Sequence, residues 1–556
     1  MPSRTRTKRT KTAESSPRTR GPDDKQVTLR RSMSIAAAIM MGSVFLSRIM
    51  GLVREMVLSR MVGAGSDMDA YVAAFLLPDI LNHLLAGGFM SITFIPIFHR
   101  HLVANDEERA WRTFSNILTT GTLVLLVLIS VSMAFTEEIL GLMGARVTDQ
   151  MALTARMTRI IMPAQFFMYW GSLLMAVQFA RKSFFVPALA PLCYNLGIIL
   201  GGVLLGPWLG IEGFAWGVLG GAFVGNYVLQ VVGGVRAGMD FRPVVDLRDR
   251  DLRTYVLVSL PLMIGVGMQF SNEALFRIFG SFLTAGSIAC LNYATKVLWS
   301  LNGLFGQAMG VASYPFLSQL AAENKLDEMN RVAHGVMKRI AVMLLPSAGL
   351  LLALAPDVIA VLFQGGSFDA EDAERTAALL SLYLLGTFGF AATAIVSRCF
   401  FAMQNTLLPM LLSSAGVALS LPLYWVLARS MGARGVALAG ALSMNLIFIA
   451  QYTAWTVKRL DLAEVRSLAI TVAASLGIAF AAGGSAYGIR RALLGWDALW
   501  ALGVLPSHLL AGLMAGIPAI AVAAFLLELF GFVPVRRQLA DIAQRVRRGN
   551  RSRHKR

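Results

Sequence analysis

The 556-residue chain is poor in the residues on which many soluble catalysts depend. It has three cysteines and six histidines, and only 15% of its residues are charged. Cys193, Cys290 and Cys399 each lie inside an apolar run without pairing or ligand spacing, so they read as small buried residues rather than a disulfide or metal framework. No His-x-x-x-His pair and no G-x-x-x-x-G-K-[ST] loop occurs, and metal-assisted hydrolysis and nucleotide-driven transport lose their sequence basis. No catalytic residue, metal or cofactor is expected, and the chain reads as a non-enzyme. Its opening thirty residues lack the short apolar core and small-residue cleavage site of a signal peptide. Acids are scarce beside bases, 32 against 50, for a formal charge of +18.

What the chain has in abundance is apolar length. Hydrophobic residues make up 56% of it, and runs of the roughly 20 residues needed to cross a bilayer recur almost throughout. This composition predicts an all-α polytopic membrane protein and leaves no room for a sizeable soluble domain. The basic excess lies mainly at the ends: residues 1–31 hold ten Lys/Arg against three acids, and residues 535–556 nine against one. In a membrane protein such tails set orientation rather than bind nucleic acid, and they place both termini in the cytoplasm, which requires an even number of spans. Contact with anionic membrane lipids is the alternative role for them.

Apolar runs bounded by charges, Gly or Pro give fourteen spans, starting near residues 33, 69, 111, 154, 185, 213, 254, 287, 333, 374, 406, 433, 467 and 505. Loops near 181–182, 236–253, 325–339 and 458–466 are basic, whereas "GAGSDMD", "TAGS" and "QGGSFDAEDAE" are not. An internal repeat organises the spans. "FARKSFFVP" at 179–187 returns as "FAMQNTLLP" at 401–409, "GIEGFA" at 210–215 as "GARGVA" at 432–437, and "AGS" at 64–66 at 285–287. The expected organisation is a basic tail (1–32), a first six-helix half (33–240), a second (250–460), two extra transmembrane helices (465–532) and a basic tail (535–556). Six is even, so the two repeats enter the membrane in parallel, as in transporters whose substrate site lies between halves.

Charges inside the spans point to that site. Arg48, Arg54 and Glu55 interrupt the first apolar helix, and a charge at the bilayer centre costs about 2.5–3.5 kcal/mol on insertion scales. Arg48 stands about 14 residues, or roughly 21 Å, into the helix, too deep to reach water easily. The second half contributes Lys296 in "LNYATKVLWSLNG". Cations from both halves, with few compensating acids, suit an anion of more than one charge, such as a phosphate or pyrophosphate. Structural alternatives are an Arg48–Glu55 packing pair, a Lys296–Glu273 pair, a local Glu273–Arg277 pair four residues apart, and Asp69 capping its own helix. Arg60 suits an interfacial anchor. Glycines of "LLAGGFMS" and Pro96, Pro187, Pro315 and Pro409 are places where spans can break or bend.

These residues carry a resemblance. "SRIMGLVREMVLSRMVGAGSDMDAYVAAFLLPDIL", with "NYATKV" and "FAMQNTLLP", resembles the MurJ (MviN) lipid II flippase family of the multidrug/oligosaccharidyl-lipid/polysaccharide exporter superfamily, over about residues 33–530. The resemblance implies export of undecaprenyl-pyrophosphate-linked peptidoglycan precursor by alternating access across a bacterial inner membrane. It matches Arg48, Arg54, Lys296 and Asp69 to the family's functional positions and places Glu55 where an Asp is usual. Implied partners are the lipid-linked precursor, membrane lipids and the cell-wall synthesis machinery. The chain departs from the family at Asn82, beside His83, where an arginine is common, and at Gly87 and Thr295, where acids are common. Rival readings are a flippase for another polyprenyl-linked glycan, a cation-coupled drug antiporter, which would present acids to its substrate, and a membrane scaffold.

Overall fold

A segment in hydrocarbon must satisfy its own peptide groups, which leaves the helix as the unit of construction here. The computed structural model describes residues 22–83, 89–143, 150–269, 271–457 and 462–532. Among them the chain is helical, without a strand beyond one isolated bridge, Gly365–Phe368. The helices are α1 (Pro22–Val62), α2 (Ser66–Ala74), α3 (Leu76–Leu81), α4 (Phe89–Val103), α5 (Glu107–Ala134), α6 (Thr136–Leu142), α7 (Met151–Ile161) and α8 (Ala164–Ala180). There follow α9 (Phe185–Leu209), α10 (Glu212–Ala222), α11 (Leu229–Arg236), α12 (Arg250–Gln269), α13 (Ser271–Gly280), α14 (Ser287–Asn302), α15 (Ala308–Ala322) and α16 (Leu326–Ala353). The last group is α17 (Ala355–Phe363), α18 (Ala370–Tyr383), α19 (Thr387–Ala402), α20 (Leu407–Met431), α21 (Ala433–Val457), α22 (Leu462–Leu493), α23 (Asp497–Trp500) and α24 (Val504–Leu529). Short π-helical stretches, Phe223–Val228 and Gly303–Gln307, join α10 to α11 and α14 to α15.

Ten helical stretches are long and apolar enough to cross a membrane among the described residues. The expected spans starting near 33, 69, 254 and 287 are not among the ten. The first three include side chains outside the described set, and the fourth, α14 to α15, carries Asn292, Thr295, Lys296, Ser300, Asn302 and Gln307. The first helix starts at Pro22 and takes in the last eleven residues of the segment expected to be tail; proline suits a first helical position, where its missing N–H would have no partner. Helices α4 and α15 continue through Pro96 and Pro315. The Gly87 departure lies outside the described residues, as do residues 1–21 and 533–556.

Backbone geometry repeats where the sequence does. All four non-glycine residues of positive φ among the described residues fall at turns in repeat-related pairs: Lys182 and Gln404 (φ 60° and 59°), and Asn105 and Asn324 (φ 56° each). Gly210 and Gly432 (φ 58° and 60°) form a third pair. Helices α9 and α20, each 25 residues, lie 222 positions apart like Lys182 and Gln404; α5 and α16, each 28, lie 219 apart like the asparagines. A left-handed turn tightens the chain between antiparallel helices, and asparagine tolerates it better than most side chains.

Three large apolar clusters hold the bundle. One draws on α3, α4, α5, α6, α8 and α12 around Phe94, Phe114 and Tyr169, and another on α15, α16, α19, α21 and α22 around Leu317, Met337 and Trp455. The largest joins the repeats at the end expected to face outward, packing Leu58, Met68 and Tyr71 against Leu291, Tyr293 and Phe363. The two helices outside the repeat are fastened at that same end: Asp357 of α17, 1% exposed, takes Arg490 of α22 on one carboxylate oxygen and His508 of α24 on the other. At the opposite, basic end Asp251 of α12 gathers Arg100 (2.6 Å) and His101 (3.0 Å) of α4 and Arg109 (3.2 Å) of α5.

Candidate functional site

Between the repeats lies a cavity of about 190 Å³, lined from one side by Arg54, Glu55, Tyr71, Asp79 and Tyr194 and from the other by Glu273, Arg277, Asn292 and Lys296. It is smaller than the roughly 300–1,000 Å³ of most ligand pockets. Helix α1 brings Arg54 and Glu55 to it as an adjacent ion pair, and Arg54 also donates to Asn195 Oδ1 of α9 at 3.1 Å. Arg277 of α13 crosses the interface to Asp79 of α3 at 2.7 Å and lies 3.7 Å from Glu273. Lys296, half-buried on α14, has no acid within 4.0 Å among the described residues. Among the described residues, one oxygen of Glu55 and the Nε of Arg277 are buried without a hydrogen-bond partner.

This geometry places Arg54, Glu55 and Lys296 around one cavity and differs from the expected arrangement at several other residues. The lining is not cation-rich: Glu55, Asp79 and Glu273 balance Arg54, Arg277 and Lys296. Arg48 does not pair with Glu55, whose ion-pair partner is Arg54. Arg48 lies outside the cavity lining, and its guanidinium rests on Gly303, where a Cβ would stand 2.0 Å from Nη1. Arg277 was expected to be a local partner of Glu273, yet its nearer acid is Asp79, 198 residues away in sequence. The offset of 222 offers a signal for it, since it sets Arg277 opposite Glu55. Thr295 turns its hydroxyl onto its own helix, donating to the Asn292 carbonyl at 2.8 Å.

Asp69 caps a helix, but not its own. The carboxylate of this buried residue accepts the backbone N–H groups of Gly286 and Ala289, each at 2.7 Å, at the start of α14. There it satisfies donors that have no partner within the helix and faces the positive end of the dipole. It is therefore a cross-repeat fastener at the end expected to face outward, joined to the helix that carries Lys296. Tyr293 donates to the Gly63 carbonyl (3.2 Å), Ser59 to that of Phe363 (3.1 Å), and the Ser367 N–H to that of Arg60 (2.9 Å). Backbones nearly touch: a Cβ on Gly286 would lie 2.1 Å from the Ala64 carbonyl oxygen, and one on Gly63 2.4 Å from that of Ser367. A larger groove of about 530 Å³ opens at the basic end between α15 and α16, beside Arg331 and Arg339, and shares no residue with the cavity.

A polytopic helical bundle with repeat-related parts meeting at a charged cavity, sealed at one end, defines a membrane transporter. The family model described as lipid II flippase MurJ matches residues 58–509, and the chain belongs to this family. The match begins after Arg48, Arg54 and Glu55 and includes Asp69, Asp79, Glu273, Arg277 and Lys296. The chain is 27% identical over 421 residues to a probable lipid II flippase MurJ of Bdellovibrio bacteriovorus, covering 74% of this chain and 80% of the relative. It is 26% identical over 377 residues to the lipid II flippase MurJ of Burkholderia cenocepacia, covering 66% and 73%. Its fold is similar to a solved lipid II flippase MurJ in an inward closed conformation, with a TM-score of 0.72 at 21% identity over 88% of this chain and 99% of that one. An inward-facing multidrug resistance MATE family transporter shares the fold more distantly, with a TM-score of 0.58 at 14% identity over 74% and 94%.

Proposed function

We propose that the chain is a lipid II flippase of the bacterial inner membrane, moving the undecaprenyl-pyrophosphate-linked peptidoglycan precursor from the inner to the outer leaflet. Its family membership supports the substrate, and one observation carries the mechanism: the Arg277–Asp79 pair spans the two repeats at the cavity. In this reading residues 33–240 and 250–460 are halves that rock about the cavity, the chain crosses the membrane fourteen times, and both termini are cytoplasmic. Separation of the halves at the inner end widens the cavity and pulls Arg277 from Asp79. A buried guanidinium without its partner is costly, and the pyrophosphate supplies the missing anion.

Lys296, with no acid within 4.0 Å among the described residues, adds a point charge, and Arg54 offers a planar fork to phosphate oxygens. Arg48 extends the cationic surface toward the inner end. Asp69 holds the outward end closed while the headgroup enters, and the apolar flanks of α22 and α24 are positioned to shelter the polyprenyl tail. An inside-negative potential assists outward movement of the anion by about 2.3 kcal/mol per charge per 100 mV, and the step breaks no covalent bond. The antiporter alternative needs acids free to hold a cation, whereas Glu55, Asp79 and Glu273 each stand beside an arginine. Depleting the protein tests the reading: lipid II should accumulate in the inner leaflet. Normal lipid II export, with accumulation of a different polyprenyl-linked glycan, would assign another substrate.

A further inference from the structure

Lys296 and Arg398 are half-buried in the helical bundle and Arg48 is exposed beside it, and none has an acid within 4.0 Å among the described residues. They meet a single helical path. Lys296 stands on α14; the guanidinium of Arg48 is seated on Gly303; and that of Arg398, from α19, is seated on Gly310, where a Cβ would lie 1.7 Å from Nη1. Positions 296, 303 and 310 follow at seven-residue intervals, so the cations step by roughly 10 Å each from the cavity toward the basic end.

Arg398 lies four residues before the end of α19, where an arginine ordinarily extends its side chain outward to the interface. Here the side chain is half-buried and folded inward onto the neighbouring helix. Its one hydrogen bond among the described residues is a long 3.4 Å contact with the Ala394 carbonyl on its own helix. A guanidinium partly withdrawn from water without a counter-charge is poised for an anion. Glycine at 303 and at 310 leaves the space into which each guanidinium packs.

Building on the flippase reading, we propose that Arg398 is a further substrate-binding residue: the inner station of a series Arg398, Arg48, Lys296 that first receives the pyrophosphate and passes it to the cavity. The test is binding of two lipids to the purified full-length protein, undecaprenyl pyrophosphate and uncharged undecaprenol. Arg398→Gln should weaken pyrophosphate-lipid binding about tenfold or more, the loss of one charge-assisted contact, and leave undecaprenol binding unchanged. Arg398→Lys should recover most of the loss. Gly310→Ala, which pushes the guanidinium off its seat without removing its charge, should reproduce part of it.

Wild-type affinity for the pyrophosphate lipid in Arg398→Gln would overturn the proposal. So would equal loss of both lipids without recovery by lysine, the mark of a packing role. If Arg54→Ala loses pyrophosphate selectivity and Arg398→Gln keeps it, the flippase reading stands and the inner station falls. If the wild-type protein does not prefer the pyrophosphate lipid to undecaprenol, both fall.

Discussion

Substituting Asp69 by asparagine should loosen the end of the bundle expected to face outward, by an amount that follows from its geometry. The carboxylate accepts two N–H groups at 2.7 Å. Hydrogen bonds to a charged group contribute about 1.5–3 kcal/mol each, and an anion at a helix N-terminus adds about 0.3–1 kcal/mol, up to about 2 when partly buried. Asparagine keeps one acceptor oxygen but turns its NH2 toward the other donor. It therefore loses roughly one charged bond and the dipole term, in all about 2–4 kcal/mol. At about 1.4 kcal/mol per tenfold, the equilibrium between sealed and open outward ends should shift on the order of 30- to several-hundred-fold. Cys290, 4% exposed on α14, is a native reporter of that end, and Cys399, fully buried in the cluster around α15 and α16, is an internal control. With Cys193 replaced by serine, a membrane-impermeant maleimide added from outside should label Cys290 much faster in Asp69→Asn than in wild type, with Cys399 unchanged. Equal Cys290 rates in wild type, Asp69→Asn and Asp69→Ala would refute the fastening role. A parallel rise at Cys399 would mean general loosening instead.

The cavity cations should be separable from packing. Arg54→Ala, Arg277→Ala and Lys296→Ala should each accumulate normally and fail to sustain growth as the sole flippase, while Lys296→Arg retains much of the activity; wild-type growth with Arg277→Ala would remove that residue from the site. The latch at the basic end should show in pH dependence. Against the upward push of burial, the hydrogen bond from His101 and the charges of Arg109 and Arg100 hold the Asp251 carboxyl below the usual range. Its contribution to stability is therefore complete above the unfolded-state value of about 3.9 and is lost as pH falls through the lower folded value. The Tm of wild type should drop more steeply below about pH 4 than that of Asp251→Asn, and parallel curves would contradict the latch.

The sequence carried the helical class and the repeat plainly, because both are periodic: apolar runs of bilayer length, and matched turns such as Lys182 with Gln404. Arg54, Glu55 and Lys296 were legible as a group because charge inside an apolar helix is expensive and needs a reason. Partners were not legible. Arg277 has a plausible mate four residues away, and nothing local reveals that its side chain reaches Asp79 across the interface. Asp69 likewise has the position of a cap on α2, while its true donors, Gly286 and Ala289, are 217 and 220 residues distant. Such choices depend on how helices pack, which local periodicity does not encode. The balanced charge of the cavity was missed for the same reason: Asp79 and Glu273 are ordinary acids until the fold turns both toward one space.

The near contact of backbones at Gly63, Gly286 and Gly366 has a consequence for the membrane as a whole. A lipid headgroup with its sugars and peptide is far larger than a proton or a sodium ion, and a passage wide enough for it would drain the electrochemical gradient if both ends stood open together. A barrier made of long side chains leaves crevices in which water files form. Main chain laid against main chain, with Cβ positions only 2.1–2.4 Å from the opposing carbonyl oxygens, leaves no such crevice at those points. Any side chain added at Gly286 would pry the closure apart, and the first loss would then be ion tightness, ahead of any failure to carry cargo.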